Sequence, residues 1–108
     1  MFQEMLQGGS GGGNTQIYRG TGTAPDGVTK TYVIGFKPKH IDITFTYNGD
    51  FRGVAMYLNN DGTDEFKVTY FNGTDYTPNC ELEINDVGFT FKQTFTGTTL
   101  GVNFIAFG

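Results

Sequence analysis

The chain has no tryptophan and only one cysteine, one histidine, one serine and three prolines in 108 residues. Each scarcity closes off a class of chemistry. With Cys80 alone, no internal disulfide can form, and folding must rest on packing. Nucleophilic catalysis needs a nucleophile, a base within reach and a group that orients the base. Ser10 sits in the run Gly8 to Gly13, where nothing holds it in place. Cys80 alternates with Leu82 and Ile84, which marks it as a small buried hydrophobe rather than a partner for His40. His40 has no second His or Cys at metal-ligand spacing. Asp42 and Glu83, weighed as a glycosidase pair, fall on strand faces expected to be solvated. The expectation is a protein that is not an enzyme and carries no cofactor.

Charge is also sparse. Seven Lys and Arg against eleven Asp and Glu leave a formal net charge of -4 with no basic cluster, so a nucleic-acid partner is not expected. No glycine loop leads into a helix as a phosphate cradle would. The N-terminus lacks the basic start and apolar run of a signal peptide, and no segment is long and apolar enough to cross a bilayer. The expectation is synthesis in a cytoplasm without membrane insertion.

What the chain has instead is 17 Gly, 11 Phe and 6 Tyr, with many Thr and Asn. Aromatic and β-branched residues suit strands, and Gly and Asn punctuate them, so the class is all-β. The clearest segment is Gly35 to Tyr47. Ile41, Ile43, Phe45 and Tyr47 alternate with Asp42, Thr44 and Thr46, the period of a half-buried strand. Pro38 belongs before that strand, and Asn48-Gly49 closes it as a tight hairpin. This strand is expected inside a sheet. Around it the reading gives a weak first strand from Thr15 to Arg19, a loop from Thr21 to Gly27, and a strand from Val28 to Ile34 with Val28, Tyr32 and Ile34 on one side. Phe51 to Leu58 places Val54, Met56 and Leu58 together. A hairpin at Asn59 to Thr63 leads to Phe66, Val68 and Tyr70. Then come Cys80, Leu82 and Ile84, followed by Val87, Phe89, Phe91 and Phe95, and finally Leu100, Val102, Phe104 and Ala106. About eight strands with turns at this spacing predict an antiparallel β-sandwich, jelly-roll-like or meandering, over residues 14–108.

Residues 1–13 read as an arm. Phe2, Met5 and Leu6 fall on one helical stripe, and the glycine run behind them behaves as a coil spanning roughly 12 to 15 Å. Such an apolar hook would dock on a partner or sister subunit, fold back on its own domain, or stay disordered. Two further sets of residues invite a role. Tyr18, Phe51, Tyr57, Phe71, Ile105 and Phe107 are large apolar groups left off the inward sets, a surplus that points to a protomer interface. Asn59, Asp61 and Asp64, with Glu65, make an oxygen-rich hairpin loop. Calcium favours such ligands, but the spacing is not that of an EF-hand and turn geometry explains the residues. With Tyr76 in the next loop, they are candidate ligand contacts.

The sequence Gly35-Phe36-Lys37-Pro38-Lys39 ahead of an alternating strand, together with the terminal Asn103-Phe104-Ile105-Ala106-Phe107-Gly108, resembles small β-rich virion proteins of tailed bacteriophages and prophages. The opening MFQEMLQGGSGGG is similar to the short leaders of compact phage structural proteins. The resemblance covers the two ends of the β-domain and the leader. It implies an accessory protein of the capsid decoration, head-fibre or tail-fibre-tip kind, assembled in the host cytoplasm into the virion. Its arm would attach it to other capsid or tail proteins, and it would form a homo-oligomer with a trimer as the expected form. The alternative is a carbohydrate- or receptor-binding module that recognises a host-surface glycan through the loops at Asn59 to Glu65 and Asn72 to Pro78.

Overall fold

The alternating segments fold as strands. In the computed structural model, which describes residues 16–108, these are β1 (Ile17–Pro25), β2 (Lys30–Val33), β3 (His40–Tyr47), β4 (Asp50–Asn60), β5 (Thr63–Tyr70), β6 (Cys80–Asn85), β7 (Gly88–Gln93) and β8 (Thr99–Phe107), with one 3-10 turn at Thr77–Asn79. They form two antiparallel sheets, one of five strands in the order β1-β8-β3-β4-β5 and one of three in the order β2-β7-β6. The expected all-β antiparallel sandwich of eight strands is what the chain adopts. The arm at residues 1–13, with Phe2, Met5 and Leu6, and the expected strand start at Thr15 lie outside the described residues.

β3 is interior to the larger sheet, paired with β4 on one side and β8 on the other. Its Ile41, Ile43 and Phe45 are buried, as are Leu100, Val102, Phe104 and Ala106 on β8. The smaller sheet supplies Phe89 and Phe91. Phe91 stacks on Phe45 with ring centroids 5.5 Å apart, and Phe89 meets Phe104 edge-on at 5.1 Å. Those contacts join the two layers. Each ring buried this way contributes about 1.5–3 kcal/mol relative to exposure. The β3–β4 turn has φ of 53° at Asn48 and 83° at Gly49, and the β4–β5 turn has 57° at Asp61 and 90° at Gly62. Both central residues are left-handed in each, the geometry that makes a two-residue hairpin follow strand twist.

Four local expectations are corrected. β1 continues from Ile17 to Pro25 across the segment read as a loop. Beyond Tyr18, its positions on the inward side are Gly20, Gly22 and Ala24, too small to show an apolar period. A Cβ on Gly20 would lie 2.5 Å from the Phe104 ring, so the small residues admit the large ones of the neighbouring strand and sheet. Val28 precedes β2 and is exposed, and Val87 is an exposed turn residue between β6 and β7 rather than an inward one. Most consequential, β4 buries the opposite face from the one expected. Thr46 pairs with Phe51 but Phe45 pairs with Gly53, so Arg52 is an extra residue, a β-bulge. Without it Ile43 and Ile41 would face Val54 and Met56, as the alternation suggests. With it, Gly53, Ala55 and Tyr57 turn inward, and Val54 and Met56 turn out at 43% and 45% exposure. Tyr57, read as an off-core residue, is 5% exposed.

Candidate functional site

Three regions carry the polar and apolar groups that the core leaves over. The first is the outer face of the five-stranded sheet. Because paired residues in a sheet share a face, the registers put Phe51, Val54, Met56 and Leu58 of β4 beside His40, Asp42, Thr44 and Thr46 of β3. Ile105 and Phe107 of β8 lie on the other side of β3, next to Ile17 and Arg19 of β1. No described element covers this face. Ile17 is 38% exposed and Phe51 52%, so apolar rows on β4 and β8 flank a polar row on β3. His40 Nε2 and Asp42 Oδ1 are 2.9 Å apart in that row. The outer face of the smaller sheet is different in kind. Thr31, Thr90, Lys92, Glu81 and Glu83 dominate it, with Val33 at its edge.

The second region is a cleft of about 690 Å³ between the edges of β5 and β6, lined by Lys37, Tyr57, Asn59, Asp64, Phe66 and Leu82 among others. Asn59 Nδ2 donates to Asp64 Oδ1 at 2.6 Å, and the Tyr57 hydroxyl donates to the same oxygen at 2.9 Å. The amide of Gly62 reaches Asn59 Oδ1 at 3.3 Å. The bonds from Asn59 and then Tyr57 hold the Asp64 carboxyl below its ordinary range. Burial, and next the Asp64 carboxylate, push the Tyr57 hydroxyl up. These groups satisfy one another and brace the hairpin. Asp61 occupies the left-handed turn position at its tip. Among the described residues no three His, Cys, Asp or Glu side chains converge as a metal site would require.

The third region is a smaller cleft of about 370 Å³ where the two sheets diverge at the other end of β5, walled by Tyr47, Tyr70, Tyr76 and Phe95, with Arg52 and Thr98. Tyr76 meets Tyr70 edge-on at 5.1 Å and Phe95 edge-on at 5.1 Å. Arg52 lies over the Tyr47 ring, 5.7 Å from its centroid.

The residues singled out from the sequence therefore separate. Asn59 and Asp64 are joined in one network, while Tyr76 belongs to the ring-lined cleft, which shares no lining residue with theirs. Of the proposed interface residues, Phe51 and Phe107 lie on the open outer face. Tyr18 is half-exposed at the sheet edge, its ring stacked on Phe104 at 6.0 Å, and Phe71 is exposed beside Tyr70. Tyr57 is in the core. Cys80 is buried, and burial pushes its thiol up to about 12, so it stays protonated. Asp42 and Glu83 face away from each other on opposite sides of the sandwich. Arg52 was missed. Its signal is faint in sequence, a lone cation two residues after the start of a hairpin strand, and only the pairing reveals it as the bulge.

The chain matches no protein-family model, no curated protein and no solved structure.

Proposed function

We propose that the chain is a non-enzymatic structural accessory protein of a virion, of the tailed-phage kind, attached through its N-terminal arm and assembled as a homo-oligomer through the outer face of its larger sheet. The observation that supports it is the contrast between the two outer faces. One is polar, as a solvated sheet face should be. The other carries Ile17, Phe51, Val54 and Met56 in the open, with Leu58, Ile105 and Phe107 between them. Exposed apolar rows on a sheet face that no described element covers mark protein contact surfaces. Their interleaving with Asp42, His40 and Thr44 gives the contact a register, since a misaligned neighbour would bury an unpaired polar group. Light scattering on the full chain tests this. The expected native mass is an integer multiple of 11.9 kDa above one, and Val54→Lys with Met56→Lys should reduce it to the monomer while leaving the β spectrum unchanged. A monomeric native chain at every concentration would sink the assembly reading.

A second reading, recognition of a host-surface glycan, is supported by the ring-lined cleft. Aromatic walls are the usual partner for the apolar face of a sugar ring, and Tyr76 lies among them.

A further inference from the structure

We infer that the cleft around Arg52 is a binding site for an acidic sugar, a pyranose ring carrying a carboxylate. This deepens the glycan-recognition reading and rests on it, while standing apart from the assembly reading.

Three observations converge. First, the guanidinium is supplied by the bulge. Arg52 follows the outward Phe51 and precedes the inward Gly53, so the bulge places two successive residues of β4 opposite Phe45 and the Arg52 side chain lines the cleft, and bulges recur next to functional sites. Second, that guanidinium has capacity to spare. Its Nε is buried and has no hydrogen-bond partner among the described residues, and its nearest carboxylate, Asp50 Oδ2, stands 4.0 Å from Nη2 on a largely exposed side chain. With no described side-chain acceptor nearer than that, the Nη groups can still take an anionic ligand. Third, the remaining walls are aromatic. Tyr70, Tyr76 and Phe95 form one edge-to-face cluster, and Tyr47 holds the guanidinium from below.

The ligand class follows from these groups. A planar guanidinium whose Nη groups have only the 4.0 Å Asp50 contact matches a carboxylate, which takes two parallel hydrogen bonds from such a fork. The negative charge also answers Arg52, the only cation among the described residues that line the cleft. The ring cluster favours a body with an apolar face rather than a bare anion. A volume of about 370 Å³ lies at the small end of ligand pockets, enough for one ring with its substituents and too little for a chain of them. A uronic acid residue, free or at the end of a polysaccharide, meets all three requirements.

The test is a titration of the full chain with glucuronate and galacturonate, followed by the amide spectra of residues around Tyr76. Glucose, galactose and inorganic phosphate serve as comparison ligands. Saturable uronate binding is expected, with the neutral sugars and phosphate each weaker. Arg52→Gln should weaken uronate binding roughly 10- to 100-fold, as loss of a charge-assisted pair does. Arg52→Lys should restore only part of it, because an ammonium cannot offer the fork, and Tyr76→Leu should weaken acidic and neutral sugars together. Absence of uronate binding by the native chain would overturn the inference whatever the variants do. Phosphate binding as tightly as uronate would overturn the sugar class. Neutral sugars binding as well as uronate, insensitive to Arg52→Gln, would overturn the acidic assignment while leaving glycan recognition standing. If no glycan of an array is bound at all, the recognition reading falls with it.

Discussion

Gln93 is fully buried, yet its side chain meets three backbone groups. Nε2 donates to the carbonyls of Ala24 at 2.6 Å and Thr98 at 2.8 Å, and Oε1 accepts from the amide of Phe95 at 2.6 Å. Ala24 belongs to β1 of the larger sheet and Gln93 to β7 of the smaller, so one amide group ties the layers where the pairing of neither sheet can. The Gln93 carbonyl adds a bond from the amide of Gly27 at 2.8 Å. Replacing it with leucine keeps the volume but leaves the Phe95 amide without its acceptor and removes a donor from the Ala24 and Thr98 carbonyls, the second of which still accepts from the Asp26 amide, and Gln93→Leu should cost about 2–4 kcal/mol. Urea unfolding checks this as a lower midpoint with an unchanged slope. An unchanged midpoint would mean that water takes over all three bonds. In sequence Gln93 merely holds an inward slot of the Phe89, Phe91, Phe95 alternation. Its side-chain partners lie 69, 5 and 2 residues away, and nothing local announces the first of them.

At the scale of the element, the strands were legible wherever the inward side chains are large. β8 buries the residues that its alternation picks out, β3 buries all of its set but the partly covered Tyr47, β5 buries Val68 with Phe66 and Tyr70 partly covered, and the Asn-Gly and Asp-Gly turns have the dihedrals their residue types favour. β1 and β4 were misread for opposite reasons. In β1 the inward residues are small because a neighbouring ring fills their space. In β4 both faces bear apolar residues, so alternation alone does not choose between them, and one extra residue at Arg52 reverses the choice. The bulge also seats Gly53 against β5, where a Cβ would come 2.6 Å from the Thr69 carbonyl oxygen and 3.0 Å from Tyr70 Cα. Those are backbone atoms with nowhere to go. Gly53→Ala should therefore destabilise by about 1–3 kcal/mol, measured by the same unfolding curve, whereas Val54→Ala on the exposed face should change stability by less than about 0.5 kcal/mol. Equal effects at the two positions would argue against the assigned inward face.

For the whole molecule, the first and last described strands pair. β1 pairs with β8 along its full length, Ile17 opposite Phe107 and Pro25 opposite Thr99, and β8 inserts between β1 and β3. The larger sheet cannot close until the last strand has arrived. Pairings this distant in sequence carry loop-closure entropy before they are rewarded, so refolding should take milliseconds to seconds, in the range of all-β sandwiches. Stopped-flow fluorescence of the tyrosines reads it directly. Relaxation in microseconds would mean that local hairpins carry the transition state. The same topology leaves the two outer faces unlike each other, which is the feature that supports assembly.

The amino-acid sequence by itself determined the class, the number of strands, their turns and most of the core. These are local properties, set by period and by the dihedral demands of Gly, Asn and Pro within a few residues. Only the tertiary structure decided which face of β4 is buried, that a run of Gly and Thr is an edge strand, and that Arg52 and Tyr76 share a cleft while Asn59 and Asp64 occupy another. Each of those depends on what a distant strand presents across the gap. A one-residue change of register reverses every side chain beyond it, and the sequence of a single strand contains no record of its partner.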